Sequence, residues 1–258
     1  MKLKKLLAIT LAFVLSMALF AGCGKEATDA NEADKLVIGY TIYEPMNYLD
    51  EAGKLTGFDT EFAEAVCEKL GKKAEFVEIN WDTKFVTLDA KQIDCIWNGM
   101  TISDEVKKNC LVSKPYVKNA QVVVMAKDKI EDYKDVESLK GLKFTAEAGS
   151  AGETAIKDNG LDGAYTPVAA QTDALLAVAG GQADACVIDI TMAKSMTAEG
   201  TSYADYTYGV ELTSEEYGIG FRLEDAELKD AVDKAIDELV ADGTLPALAE
   251  KYGLNLAF

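Results

Sequence analysis

The chain has 258 residues, is 49% hydrophobic and carries a formal net charge of −18. That length and apolar share suffice for one or two real cores, while the acid excess repels phosphate backbones and anionic surfaces and argues against nucleic acid as a partner. There is no histidine, and the five cysteines (Cys23, Cys67, Cys95, Cys110, Cys186) do not fall at metal-ligand spacing, so a zinc centre is not expected.

Lys2, Lys4 and Lys5 precede the apolar run Leu6–Phe20, the order of a secretory signal too short for a comfortable membrane span. Phe20-Ala21-Gly22-Cys23 resembles a bacterial lipobox, which implies a signal peptide over 1–22 and a lipid on Cys23. Residues 23–34 are small, polar and acidic and read as a flexible tether.

Leu36–Tyr40 reads as the first strand, and Thr41–Tyr48 as a loop. Asp59 can cap the next helix, whose buried stripe is Phe58, Phe62, Val66 and Leu70, ended by Gly71. Ala74–Ile79 is a strand, and Trp81 and Asp82 open a helix to about Ala90. Asp94–Trp97 is a short buried strand broken by Asn98-Gly99. Met100–Ile102 continues extended, and Ser103 caps a helix over Asp104–Lys108. Free N–H groups at that helix start, beside a strand end, suit the negative or polar end of a ligand.

Gln121–Met125 is a very apolar strand, and the charged stretch Lys127–Lys140 reads as a crossing into a second lobe. Leu142–Ala146 is a strand, Glu147–Glu153 a glycine-rich turn into a helix, and Tyr165–Val168, Thr172–Ala179 and Ala185–Ile188 follow as strand, helix and strand. Tyr217–Arg222 is a further strand. Leu228, Ala231, Val232, Ala235, Ile236 and Leu239 make Asp225–Val240 the cleanest helix, ended by Gly243. Gln92-x-Asp94 and Gln182-x-Asp184 each follow a helix and precede a strand, an internal echo that suggests two similar lobes with facing strand ends.

The run Gly99-Met100-Thr101-Ile102-Ser103-Asp104-Glu105, the later Val112-Ser113-Lys114-Pro115-Tyr116, Gly53–Asp59 (GKLTGFD), the turn Glu147–Glu153, the strand Tyr217–Arg222 and the closing Ala241–Thr244 with Glu250–Tyr252 together resemble the amino-acid-type solute-binding proteins of ABC importers. The resemblance covers nearly all of residues 36–253. It implies an α/β fold of two lobes, of the type II periplasmic-binding-protein kind, with two mainly parallel sheets and a ligand cleft between. Lobe 1 is expected over 35–125, lobe 2 over 126–216, and a return segment over 217–258, with hinge closure through Met125–Lys127 and Ser214–Gly218. The implied role is an extracytoplasmic, lipid-anchored, monomeric receptor on the outer face of the bacterial cytoplasmic membrane, delivering a polar amino acid or derivative to an ABC permease.

The same resemblance implies the site. Tyr43 and Trp81 match aromatic residues that sandwich the ligand. Asn98, Gly99 and Thr101 match positions that offer backbone and hydroxyl groups, with Met100 and Glu44 counted beside them. Ser150 and Ala151 match the turn that donates N–H groups to a carboxylate, and Asp189 matches the partner of an α-ammonium. No cofactor, metal or catalytic residue is implied. One position departs: the arginine that clamps the ligand's carboxylate is replaced by Val106, which cannot form paired charge-assisted bonds. Lys107 stands beside it.

Other readings stay open. Trp97 suits a core. Tyr43 can be a surface tyrosine, Trp81 a helix staple and Asp189 a helix cap. Cys95 and Cys110 can be buried thiols or a bridge. An enzyme on the same fold, a dehydratase or lyase, would draw on Glu44, Asp82 or Asp189 as acid or base. A sensing module without transport is the third class.

Overall fold

A computed structural model describes residues 35–258. The signal peptide, Cys23 and the tether lie outside the described residues. The first stretch contains β1 (Lys35–Tyr40), β2 (Tyr48–Leu49), β3 (Leu55–Thr56), α1 (Phe58–Leu70), β4 (Lys73–Glu78), α2 (Lys84–Asp89), β5 (Cys95–Thr101), α3 (Asp104–Asn109), β6 (Leu111–Val112) and β7 (Val117–Asn119). The second contains β8 (Gln121–Ala126), β9 (Phe144–Glu147), α4 (Ala151–Asp158), β10 (Tyr165–Val168), α5 (Gln171–Ala179), β11 (Ala185–Asp189), α6 (Ile190–Met196) and β12 (Tyr206–Glu211). The chain then returns through β13 (Glu215–Phe221), α7 (Ala226–Ala241) and α8 (Thr244–Tyr252).

Two main sheets result, one per lobe. The first has the order β4-β1-β5-β13-β6, with β7 also on β13, and the second has β10-β9-β11-β8-β12. In each, three strands run parallel, β4-β1-β5 and β10-β9-β11. The strands that cross between lobes, β13 and β8, join antiparallel, so the sheets expected to be mainly parallel are mixed.

The first crossing also moves. Residues 121–125 were expected to complete lobe 1, but Gln121–Ala126 pairs with β11 and β12 and belongs to the second sheet. The chain therefore crosses at Asn119–Gln121 and returns at Leu212–Ser214. An apolar run of this length has no preference for either sheet by itself; what captures it is the pairing with the equally apolar β11.

The core of the first lobe lies between α1, α7 and its sheet: Phe58, Phe62, Val66, Trp97, Val232, Ile236 and Leu239 are all buried there. Trp97 meets Phe62 edge to face at 4.9 Å. Successive residues of β5 face opposite sides of the sheet. Cys95 and Trp97 join this core, whereas Ile96 and Met100 join a second cluster with Trp81, Leu88, Val106 and Cys110. Cys95 and Cys110 thus sit on different faces and remain free, as do Cys67 and Cys186.

Asp59 does not cap α1. Gly57 occupies the cap position with no side-chain cap bond, and the buried Asp59 carboxylate instead accepts from Gly99 N at 2.6 Å and Tyr116 Oη at 3.0 Å. It ties α1 to the end of β5. The internal echo has a shared structural meaning: Asp94 accepts from Val37 N and Asp184 from Lys143 N, both at 2.9 Å.

Candidate functional site

The carboxyl ends of β5 and β11 face one another across the lobes, where open α/β sheets place their ligands. Between them lies a cavity of about 500 Å³. Trp81, Lys84 and the strand end Asn98–Thr101 line it from the first lobe; Glu147, Gly149–Ala151, Gln171 and Asp189 line it from the second. Its lining carries six acids (Asp104, Glu105, Glu147, Asp158, Asp189, Glu215) against one base, Lys84.

Two carboxylates form the floor, at the point where the chain crosses between lobes. Gln121 Nε2 donates to Asp189 Oδ1 at 2.8 Å and to Glu215 Oε1 at 2.7 Å. Asn119 Nδ2 likewise bridges Asp189 and Glu215. Thr101 donates to Glu215 at 2.7 Å, and Gln171 clasps Asp189 through both its side-chain amide and the Asp189 backbone N–H. The crossing brings Gln121 opposite Asp189 in the β8–β11 register. Burial first, and the neighbouring Glu215 second, hold the Asp189 carboxyl above the usual range. Such a floor, supplied only with neutral donors, has an unmet demand for positive charge.

The opposite end is built around Lys84 and the turn before α4. Lys84 starts α2, immediately after the one-turn helix Trp81–Thr83 that Asn80 caps. Its buried ammonium donates to Trp81 O at 3.3 Å and, across the lobes, to Gly149 O at 2.8 Å. It lies 4.8 Å from the Trp81 ring centre and 4.9 Å from that of Phe85. Ser150 caps α4 by accepting from Glu153 N at 3.1 Å, and Glu153 accepts from Gly149 N at 2.7 Å. Desolvation depresses the Lys84 ammonium. Glu147, 3% exposed, is pushed up to about 8 by burial and then by Asp189, and its Oε1 has no hydrogen-bond partner.

Of the residues singled out in the sequence, Trp81, Asn98, Gly99, Met100, Thr101, Ser150, Ala151 and Asp189 line this cavity. Tyr43 and Glu44 do not. The Tyr43 hydroxyl bonds to Tyr217 and, across the lobes, to Thr191, and its ring packs so close to Gly99 that a Cβ there would approach Cε1 to 2.7 Å. Glu44 accepts from Ser195 at 3.0 Å. Both are contacts between lobes, which a loop position alone does not reveal. The Asn98 side chain is turned inward, donating to Thr41 O at 2.9 Å and Asn47 Oδ1 at 2.7 Å. Lys84, Glu147, Gln121, Gln171 and Glu215 were missed. The available signal was polarity at strand ends: Gln121 opens an apolar strand and Glu147 closes one.

A family model for bacterial extracellular solute-binding proteins, family 3, matches residues 36–255. The L-cystine-binding protein TcyJ of Escherichia coli (strain K12) is 31% identical over 263 residues, covering 98% of this chain and 97% of that protein. Among solved structures, an ancestral arginine-binding protein bound to arginine superposes with a TM-score of 0.80 at 32% identity, covering 85% of this chain and 98% of the other. A substrate-binding protein of a Streptococcus pneumoniae ABC uptake transporter, with bound histidine, gives 0.79 at 28% identity, covering 86% and 93%.

Proposed function

Since the chain belongs to the bacterial extracellular solute-binding proteins of family 3, we propose that it captures an amino acid with a cationic side chain and hands it to an ABC permease. The observation that carries this reading is the Asp189–Glu215 floor at the end of an acid-rich cavity. An α-ammonium set against Asp189 supplies the missing positive charge, and a second cationic group answers Glu215 and the rest of the acidic lining. The Trp81 face covers the ligand's length. The relatives named for cystine, arginine and histidine support an amino-acid ligand.

Lipidation at Cys23 and the tether over 23–34 hold this receptor on the outer face of the membrane, within reach of its permease. The two crossings act as a hinge, and binding draws the lobes together around the solute. We read the protein as a monomeric receptor and not a catalyst. Of the acids weighed for chemistry, Glu44 is engaged by Ser195 outside the cavity, and Asp189 is held in place by the amides of Asn119, Gln121 and Gln171.

Calorimetric and thermal-shift titration of the purified protein with arginine, lysine, ornithine, histidine, cystine and neutral and acidic amino acids tests the reading. A cationic amino acid at ~1,000 times its dissociation constant adds about 4 kcal/mol of stability. Response to acidic amino acids alone would refute it.

A further inference from the structure

The position at which the family resemblance implies a carboxylate-clamping arginine is Val106, buried in the apolar cluster with Trp81, Met100 and Cys110. The other basic residues nearby do not replace it. The chain's one arginine, Arg222, is fixed by Ile93 O, by Asp94 at 3.1 Å and by Asp225 at 2.6 Å. Lys107 is exposed on α3 and does not line the cavity. Lys84 does line it, and is 5% exposed.

Resting on the amino-acid reading above, we propose that Lys84 recognises the ligand's carboxylate and so fixes the preference for an amino acid over the corresponding amine. Among the described residues no carboxylate forms an ion pair with Lys84; its hydrogen bonds go to two carbonyl oxygens. An ammonium has three donors, so one remains for a ligand. A buried cation without an ion-pair partner is costly unless something supplies one; Glu105, Glu147 and Asp82 lie near enough to favour the ammonium, but its hydrogen bonds go to carbonyls and not to them.

The neighbouring groups fit a carboxylate. Gly149, whose carbonyl takes one Lys84 bond, immediately precedes Ser150 and α4. The first-turn N–H groups of Ala151 and Gly152 have no partner inside that helix and favour negative charge. Lys84 comes from the first lobe and this turn from the second. A carboxylate between them is therefore read only when the lobes meet, which joins recognition to closure. The position is separate from the Asp189–Glu215 floor, so the two ends of an amino acid find opposite charges in one cavity.

The test is isothermal titration of the full chain with matched pairs: arginine and agmatine, lysine and cadaverine, ornithine and putrescine. The wild type should favour the amino acid of the pair it binds by at least about tenfold, the scale of one charge-assisted hydrogen bond. Lys84→Met should bring that ratio to within about twofold while the amine still binds, Lys84→Arg should keep most of it, and the double variant Lys84→Met with Val106→Arg should regain it. Should the methionine variant fail to fold, Lys84→Gln, which retains a donor for Gly149, takes its place. A folded, uncharged variant that keeps the preference overturns the role of Lys84 alone. A wild type that binds amines as tightly as amino acids overturns it too, yet leaves cation capture standing. Binding of no member of any pair overturns the ligand class and this role together.

Discussion

Asp59, in the first turn of α1, and Asp189, at the end of β11, are both buried aspartates, yet they do opposite work. Asp59 lies inside one lobe, where Gly99 N–H and Tyr116 Oη both donate to one of its oxygens and no second acid shares the donors. Asp189 lies on the cleft floor, where Asn119 and Gln121 must each serve Glu215 as well. Burial raises both carboxyls. The difference teaches that burial does not by itself mark a binding group. What marks it is donors shared with another carboxylate on a face open to a cavity, because that arrangement leaves charge for a ligand to neutralise.

The comparison breaks most sharply in stability. Asp59→Ala leaves the Gly99 N–H and Tyr116 hydroxyl buried and unpaired, and should cost about 3–5 kcal/mol in urea unfolding. If it costs under about 1 kcal/mol, Asp59 is no scaffold. Asp189→Asn should show the reverse pattern: unfolding free energy unchanged or higher, since repulsion from Glu215 is relieved, and ligand affinity lower by about 2–4 kcal/mol in calorimetry. Equal loss of stability in both variants would erase the distinction.

Proton linkage sharpens it further. Asp59 titrates at about 7 and Glu147 at about 8 in the folded protein, against about 4 for unfolded carboxyls. The folded state therefore binds more protons in that interval, so stability is full near pH 4 and is lost as pH rises toward 7 and 8, by up to about 1.4 kcal/mol per pH unit per carboxyl. The melting temperature of the ligand-free protein should fall from pH 5 to pH 8. Asp59→Asn should flatten the curve below pH 7, and a bound cation should flatten what remains. A melting temperature that climbs over this range would contradict the assignment. The smallest effect belongs to the exposed periphery: Lys251→Ala, which removes a surface pair with Glu61 at 2.7 Å, should change stability by less than about 1 kcal/mol.

The elements that depend on local pattern were legible in the sequence. The stripe Leu228, Val232, Ala235, Ile236 and Leu239 gave α7, Ser103 does cap α3 through Val106 N, and Gly71 ends α1 in the left-handed conformation. What was not legible depends on strands meeting across the crossings. Gln121–Ala126 reads as an apolar strand in any sheet, so its move to the second lobe, and the placing of Gln121 against Asp189, follow only from pairing. Lys84 was hidden for a related reason. A lysine three residues after Trp81 on a short helical turn reads as solvated, whereas in the fold it is buried against Trp81 and Phe85 and donates to Gly149 of the other lobe. The family resemblance makes Tyr43 a ligand cover; its bonds to Thr191 and Tyr217, distant in the chain, are not legible in the sequence.

Gly149 carries a consequence of its own. It sits at φ +68°, and a Cβ placed on it would stand 3.0 Å from both Cα and Oδ1 of Asp82 in the facing lobe. At this rim the backbone of residue 149 lies against Asp82, with no room for a side chain between the halves. A methyl group here would prop the rim ajar and lengthen the reach from Lys84 to the turn. The tightest fit available to a cargo is thus set in part by an atom group that is missing from the wall, at a residue chosen for how little it occupies.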